Sequence, residues 1–203
     1  MPLPHFRYEK KCHSENKLLV AGVDEVGVGT LAGPVVAAAV ILPATVTIKK
    51  INDSKKLSQS AREHLDLKIR KYATAVAVGE ASVREIDALN ILEATRLAMR
   101  RALLLLHHIP EHVLVDARTI PDIVIPQTAI VRGDQTSITI AAASIVAKVA
   151  RDEMMRRFAD VWPQYGFEKH KGYGTKAHLA ALKDYGPCPI HRYSFAPVKN
   201  LKT

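Results

Sequence analysis

Two apolar runs in this chain stop abruptly on acidic residues: residues 17–23 (KLLVAGV) run into Asp24-Glu25, and residues 113–115 into Asp116. Short apolar runs of this kind read as buried strands. An acid at the end of each marks where the strand reaches a sheet edge. A further apolar run, residues 34–42, follows the first across a glycine-rich turn and is closed by Pro43.

From Ser60 the period changes. Ser60 and Glu63 have capping-box spacing, and Leu65, Ile69 and Tyr72 follow at helical intervals. Residues 73–78 predict a third strand. Ser82 and Glu85 repeat the capping spacing, and Asn90 is expected to cap a longer helix reaching about His107. Residues 112–115 form a short strand, and residues 123–125 and 129–131 short extended pieces split by Pro126. The longest helical stretch is residues 136–161, and a last helix covers about 175–185. The proline-containing tail from Gly186 is expected to be irregular. Strands alternating with helices, without repeat or linker, predict one α/β domain over residues 17–203 behind a loose extension, residues 1–16.

Composition narrows the class. Hydrophobic residues at 48% and charged residues at 24% are ordinary globular proportions, so disorder is not expected. A formal charge of +9 suits a polyanionic partner, nucleic acid first. Cys12 and Cys188, at opposite ends with no CxxC spacing, argue against a zinc site and a disulfide framework and fit a reducing cytoplasm. The run 34–42 is far shorter than the ~20 residues of a membrane span. The first sixteen residues show no apolar secretory core, so a cytoplasmic protein is expected.

A single acid at a strand end is more often solvated surface than a ligand. Its surroundings make this pair distinctive: Asp24-Glu25-Val26-Gly27-Val28-Gly29 sets adjacent acids beside two glycines. Adjacent strand residues point to opposite faces, so Asp24 and Glu25 are expected to share a site only if the chain turns there. The segment GVGTLAG runs into another strand, which excludes a dinucleotide fingerprint. Carboxylates at two strand ends, with Asp116 the second, suit hard cations such as Mg²⁺.

Several blocks occur in one order: VAGVDEVGVGTLAGPVVAAAVIL, DSKKLS, LVDA, RGDQTSITIAAASIVAKVARD, GYGTKAHL and GPCPIHRYSFAPV. Together, from about Lys17 to Val198, they resemble the ribonuclease HII family. The resemblance implies a ribonuclease H-like fold, a mixed sheet flanked by helices with a helical C-terminal part. It implies endonucleolytic cleavage of the RNA strand of RNA–DNA hybrids, and at ribonucleotides embedded in duplex DNA, with Mg²⁺ or Mn²⁺. The family's four acids fall on Asp24, Glu25, Asp116 and Asp134, as catalytic groups and metal ligands. Two metal ions ~3.5–4 Å apart would activate water and stabilise the leaving oxygen. The implied products carry 3′-hydroxyl and 5′-phosphate ends.

The resemblance also implies substrate contacts. Gly27, Val28 and Gly29 match a segment whose backbone reads the ribose 2′-hydroxyl, although Val28 stands where the family usually has Arg. Ala117 stands where it often has Gly. Tyr173 matches a tyrosine that stacks on the sugar at the RNA–DNA junction, and Lys55 and Lys56 suit phosphate contact. Ser144, Lys148, Arg151 and Asp152 share a helical stripe. It reads either as a solvated face with a Lys148–Asp152 pair or, for Ser144 and Lys148, as part of the nucleic-acid groove. The role of Asp152 is open. His170, His178 and His191 are expected in loop or phosphate-facing roles. A monomer is expected. Two rival readings are a nucleic-acid-binding protein without turnover and an α/β enzyme acting on a phosphorylated small molecule.

Overall fold

The computed structural model describes residues 3–46 and 48–201. Its elements run α1 (Arg7–Ser14), β1 (Val20–Val26), β2 (Val35–Ile41), α2 (Gln59–Tyr72), β3 (Ala75–Ala81), α3 (Val83–Leu89), α4 (Ile91–Leu104), β4 (His112–Asp116), β5 (Gln127–Ile130), α5 (Ile138–Val161), α6 (Phe167–His170), α7 (Lys176–Tyr185) and α8 (Ala196–Lys199). The sheet order is β3-β2-β1-β4-β5. β3, β2 and β1 pair antiparallel, whereas β1–β4 and β4–β5 are parallel. This is the expected mixed sheet flanked by helices, with a helical C-terminal region.

Both faces of the sheet are covered, which explains why β2 is apolar at every position rather than alternating. On one face Ala21, Val23, Ala37 and Ala39 pack against Ala94, Ala98 and Ala102 of α4. On the other, Ala38 and Val40 meet Ala142, Ile145 and Val146 of α5, with Leu65 and Ile69 of α2. The small residues let α5 approach closely. A Cβ on Gly22 of β1 would lie 2.3 Å from the Thr139 backbone.

Residues 7–14, expected to be a loose extension, instead form α1 and dock. Glu9 is buried, and its carboxylate accepts the Ser137 hydroxyl at 2.6 Å and the Thr139 N–H at 3.0 Å. A carboxylate at the N-terminus of α5 satisfies an orphan donor and complements the helix dipole. The spacing around residue 9 carries no sign of this, because its partners lie 128 and 130 positions away.

Local signals fare unevenly. The Ser82–Glu85 capping box forms, and Asn90 caps α4 through Leu92 and Glu93. The Ser60–Glu63 box does not. Ser58 is the cap of α2, accepting from Ala61, while Glu63 takes the Gln59 amide. Residues 123–125 form no strand, since their neighbour Gln127 turns its side chain back to Ile120. Within the proline-containing tail, expected to be irregular, α8 forms one short turn of helix.

Candidate active site

Parallel pairing sets the carboxyl ends of β1 and β4 side by side, with Val23 opposite Val115. One residue further on, Asp24 and Asp116 reach the same edge, where α/β sheets assemble their sites. β1 continues through Val26, so the turn expected at the two acids begins only afterwards. Asp24 and Glu25 accordingly face opposite sides of the strand end. Asp24 is buried toward α5, its carboxylate accepting the Glu25 N–H at 2.8 Å, while the Ser144 hydroxyl stands 2.9 Å from that of Ser54. Glu25 lines a cleft of about 270 Å³ together with Val28, Met99, Asp116 and Arg118.

Burial holds the Asp24 carboxyl well above its ordinary range, and the charges of Glu25 and Asp116 add to the effect. Burial, then Asp116, raises Glu25 to about 7. Asp134, in the turn after Arg132-Gly133, is raised by burial and then by Asp116 and Asp53. All three thus feel the charge of Asp116. Exposed Lys55 brings its Nζ to 3.9 Å from Asp134. The arrangement is open: among the described residues no three His, Cys, Asp or Glu side chains group closely enough to hold a metal ion.

The turn after β1 is built on glycine and arginine. Gly27 has φ of +91°, and a Cβ there would lie 2.2 Å from Arg151 Nε. Arg192 donates to the Gly27 carbonyl at 2.6 Å and to the Val28 carbonyl at 2.8 Å. A trans peptide points its N–H opposite its C=O. With both carbonyls turned inward, the Val28 and Gly29 amides face away from Arg192, at residues that are exposed. The Gly172 carbonyl accepts the Leu31 N–H at 2.8 Å, which brings half-exposed Tyr173 beside this turn.

The ribonuclease HII family model matches residues 21–198. The chain belongs to the ribonuclease HII family. It is 54% identical to the ribonuclease HII of Caldanaerobacter subterraneus subsp. tengcongensis, over 93% of this chain and 78% of that one. The crystal structure of ribonuclease H2 from Pyrococcus horikoshii OT3 superposes with a TM-score of 0.73 at 26% identity, covering 89% and 95% of the two chains. Bst-RNase HIII, whose crystal structure was solved in complex with Mn²⁺, shares the fold at 21% identity and a TM-score of 0.69, covering 90% of this chain and 68% of that one. The chain is an enzyme with ribonuclease H endonuclease activity. No helix among its described residues is long and apolar enough to cross a membrane.

In this chain the α5 stripe is not a solvated face. Ser144, Arg151 and Asp152 are buried, and the expected Lys148–Asp152 pair forms at 2.6 Å. Asp152 also faces Arg62 Nη2 at 3.7 Å. Arg62 in turn donates to the carbonyls of Ser54 and Leu57, so Asp152 anchors the loop carrying Lys55 and Lys56. Both lysines are exposed, on a turn capped by the buried side chain of Asp53. His178, on α7, and His191, in the loop that follows it, are fully buried, against the expectation of phosphate-facing roles, and pack with Phe167.

Sequence reasoning did not single out Asp53, Arg62 or Arg192. Asp53 alone had a visible signal, since an Asp two residues before a Lys pair can cap the turn that holds them. Arg192 acts on carbonyls 159 to 165 positions away, and Arg62 pairs with Asp152 on a distant helix.

Proposed function

We propose that this enzyme hydrolyses the RNA strand of RNA–DNA hybrids and cuts at single ribonucleotides embedded in duplex DNA, leaving 3′-hydroxyl and 5′-phosphate ends. Asp24, Glu25, Asp116 and Asp134 are its catalytic acids and hold divalent ions, Mg²⁺ or Mn²⁺. What carries the reading is the charge arrangement. Asp24, Glu25 and Asp134 are held above the carboxylate range by burial and by repulsion among the four acids. Carboxylates that repel one another across an open site are unfavourable without cations, and an all-oxygen donor set suits hard divalent ions. Two such ions, when bound, supply an activated water and neutralise charge on the phosphate.

The chain's own groups bind and orient. The Glu25 N–H orients Asp24, and the Gly133 N–H fixes Asp116. Lys55 and Lys56 meet phosphates. The Val28 and Gly29 amides meet the ribose 2′-hydroxyl, the group that distinguishes RNA from DNA. Tyr173 stacks on the neighbouring sugar. Ser144 and Lys148, on α5, complete the groove that binds the strand. The enzyme works as a monomer in the cytoplasm, and its two buried free cysteines suit a reducing compartment.

A duplex with one ribonucleotide, incubated with Mg²⁺ or with Mn²⁺, should be cut once by wild type and not by Asp116→Asn. Duplex binding without cutting under either ion would sink the proposal and favour a binding protein without turnover. Binding should also weaken steeply with salt. Salt-insensitive binding would point to a small phosphorylated substrate.

A further inference from the structure

Behind Tyr173 lies a run of buried polar contacts that the cleavage chemistry does not use. The Tyr173 carbonyl can only accept, so His178 Nδ1, 2.9 Å away, carries a hydrogen. A neutral His178 then has a bare Nε2, which stands 3.0 Å from His191 Nε2. His191 is accordingly the Nε2–H tautomer. Its bare Nδ1 accepts the Cys188 backbone N–H at 2.9 Å, with Cys188 Sγ and O each 3.2 Å away. Burial lowers the pKa of both rings, that of His191 to about 4, which keeps the pair neutral at pH 7.

The path does not stop there. Arg192, next in the chain and also fully buried, donates to the carbonyls of Gly27, Val28 and Gly33 and gives its backbone N–H to Leu31. Hydrogen bonds on either side of the His191–Arg192 peptide therefore link the Tyr173 backbone to the turn that presents the Val28 and Gly29 amides. Packing alone would not need imidazoles. His191 sits among Tyr165 and Phe167, at 4.9 and 5.6 Å between ring centres, where a phenyl ring would fill the same space without burying polar atoms. What the nitrogens add is direction and distance.

We propose that the buried His178–His191 contact, continued by Arg192, is a positioning device that sets the distance between Tyr173 and the Val28 and Gly29 amides. The inference rests on the reading that these groups meet the ribonucleotide and its neighbour. Neither histidine touches substrate; both act through Tyr173 and Arg192.

Two measurements test it. Nitrogen-15 NMR of the full chain should report His178 as the Nδ1–H and His191 as the Nε2–H tautomer, both neutral at pH 7. Reversed tautomers or a charged ring would break the path. Kinetically, His191→Phe keeps the aromatic packing and cuts the path, while His178→Asn keeps a donor near Tyr173 and loses the link. Each should raise KM for a duplex with one ribonucleotide about tenfold and change kcat less than about twofold. Tyr173→Ala added to His191→Phe should cost less than about twofold more, because the pair acts through that tyrosine. Full, independent losses from the two substitutions would overturn the coupling and leave the role of Tyr173 standing. A lower melting temperature with unchanged KM would also overturn it, leaving the histidines as core residues. If Tyr173→Ala in the wild-type background leaves KM untouched, the assignment of Tyr173 fails, and the positioning role with it.

Discussion

Gly133 donates its backbone N–H to the Asp116 carboxylate at 2.6 Å. The bond ties the end of β4 to the turn that carries Asp134, so two acids 18 positions apart are set by one contact. An asparagine at 116 keeps an oxygen for this bond and removes the charge that raises Asp24, Glu25 and Asp134. Asp116→Asn should therefore lose cleavage on the order of 10³-fold, the scale for removing one group that stabilises transition-state charge. It should also gain stability. Relief of repulsion worth about 1 kcal/mol would raise the melting temperature by roughly 2–4 °C at this chain length. Cleavage assays and calorimetry on the same preparation check both halves. A variant that is inactive because it is unfolded would contradict the second.

Val28 lies exposed on the rim of the cleft it shares with Glu25, Asp116 and Arg118. An arginine there gains a phosphate contact but has two acids within the same cleft to pair with instead. Val28→Arg should tighten binding to a ribonucleotide-containing duplex by at most about tenfold, or roughly 1.4 kcal/mol. The slope of log K against log salt should steepen by about 0.9 for one added phosphate contact. Anisotropy titrations in the Asp116→Asn background measure this without cutting. Unchanged affinity and slope would mean that no phosphate passes within reach of residue 28.

Much of the framework was legible because it is written locally. The apolar runs before Asp24 and Asp116 show period and length, and their strand ends meet at one edge as parallel neighbours must. The capping box at Ser82 needs only four consecutive residues. Contacts between distant residues left no such trace. Glu9 bonding Ser137, and Arg192 holding the Gly27 carbonyl, depend on a tertiary approach that no window of sequence contains. The α5 stripe misled for a related reason. Ser144, Arg151 and Asp152 have the look of a solvated helical face, yet α2 and the turn after β1 close over them.

Asp152 shows what that closure costs to undo. Its buried carboxylate faces Lys148 and Arg62, and Arg62 holds the loop of Lys55 and Lys56 through two carbonyls. Asp152→Ala leaves two cations without their acid, so stability should fall by about 3 kcal/mol. Duplex affinity should fall as well, because the two lysines lose their mounting. Denaturant titration and anisotropy report the two effects separately. Weakened binding without lost stability would mean that Asp152 acts on the ligand and not on the loop.

His191 makes acid stability a sharp test of its neighbours. Burial is the main cause of its lowered pKa, with the charge of His178 and then of His170 acting in the same direction and the Cys188 backbone opposing. His170 stacks on His178 at 4.4 Å, and the remaining walls are Tyr165, Phe167 and the Cys188 thiol, itself pushed up to about 11 and uncharged. The unfolded chain takes up a proton at this site below its ordinary value of 6.5, while the folded protein resists until about 4. The contribution is whole above pH 6.5, drains away between 6.5 and 4, and is gone below. It amounts to about 3 kcal/mol at most, at 1.36 kcal/mol per pKa unit. Wild type should therefore lose stability across that interval faster than His191→Phe, whose phenyl ring cannot titrate. Parallel urea midpoints for the two proteins from pH 7 to pH 4 would refute a buried neutral pair.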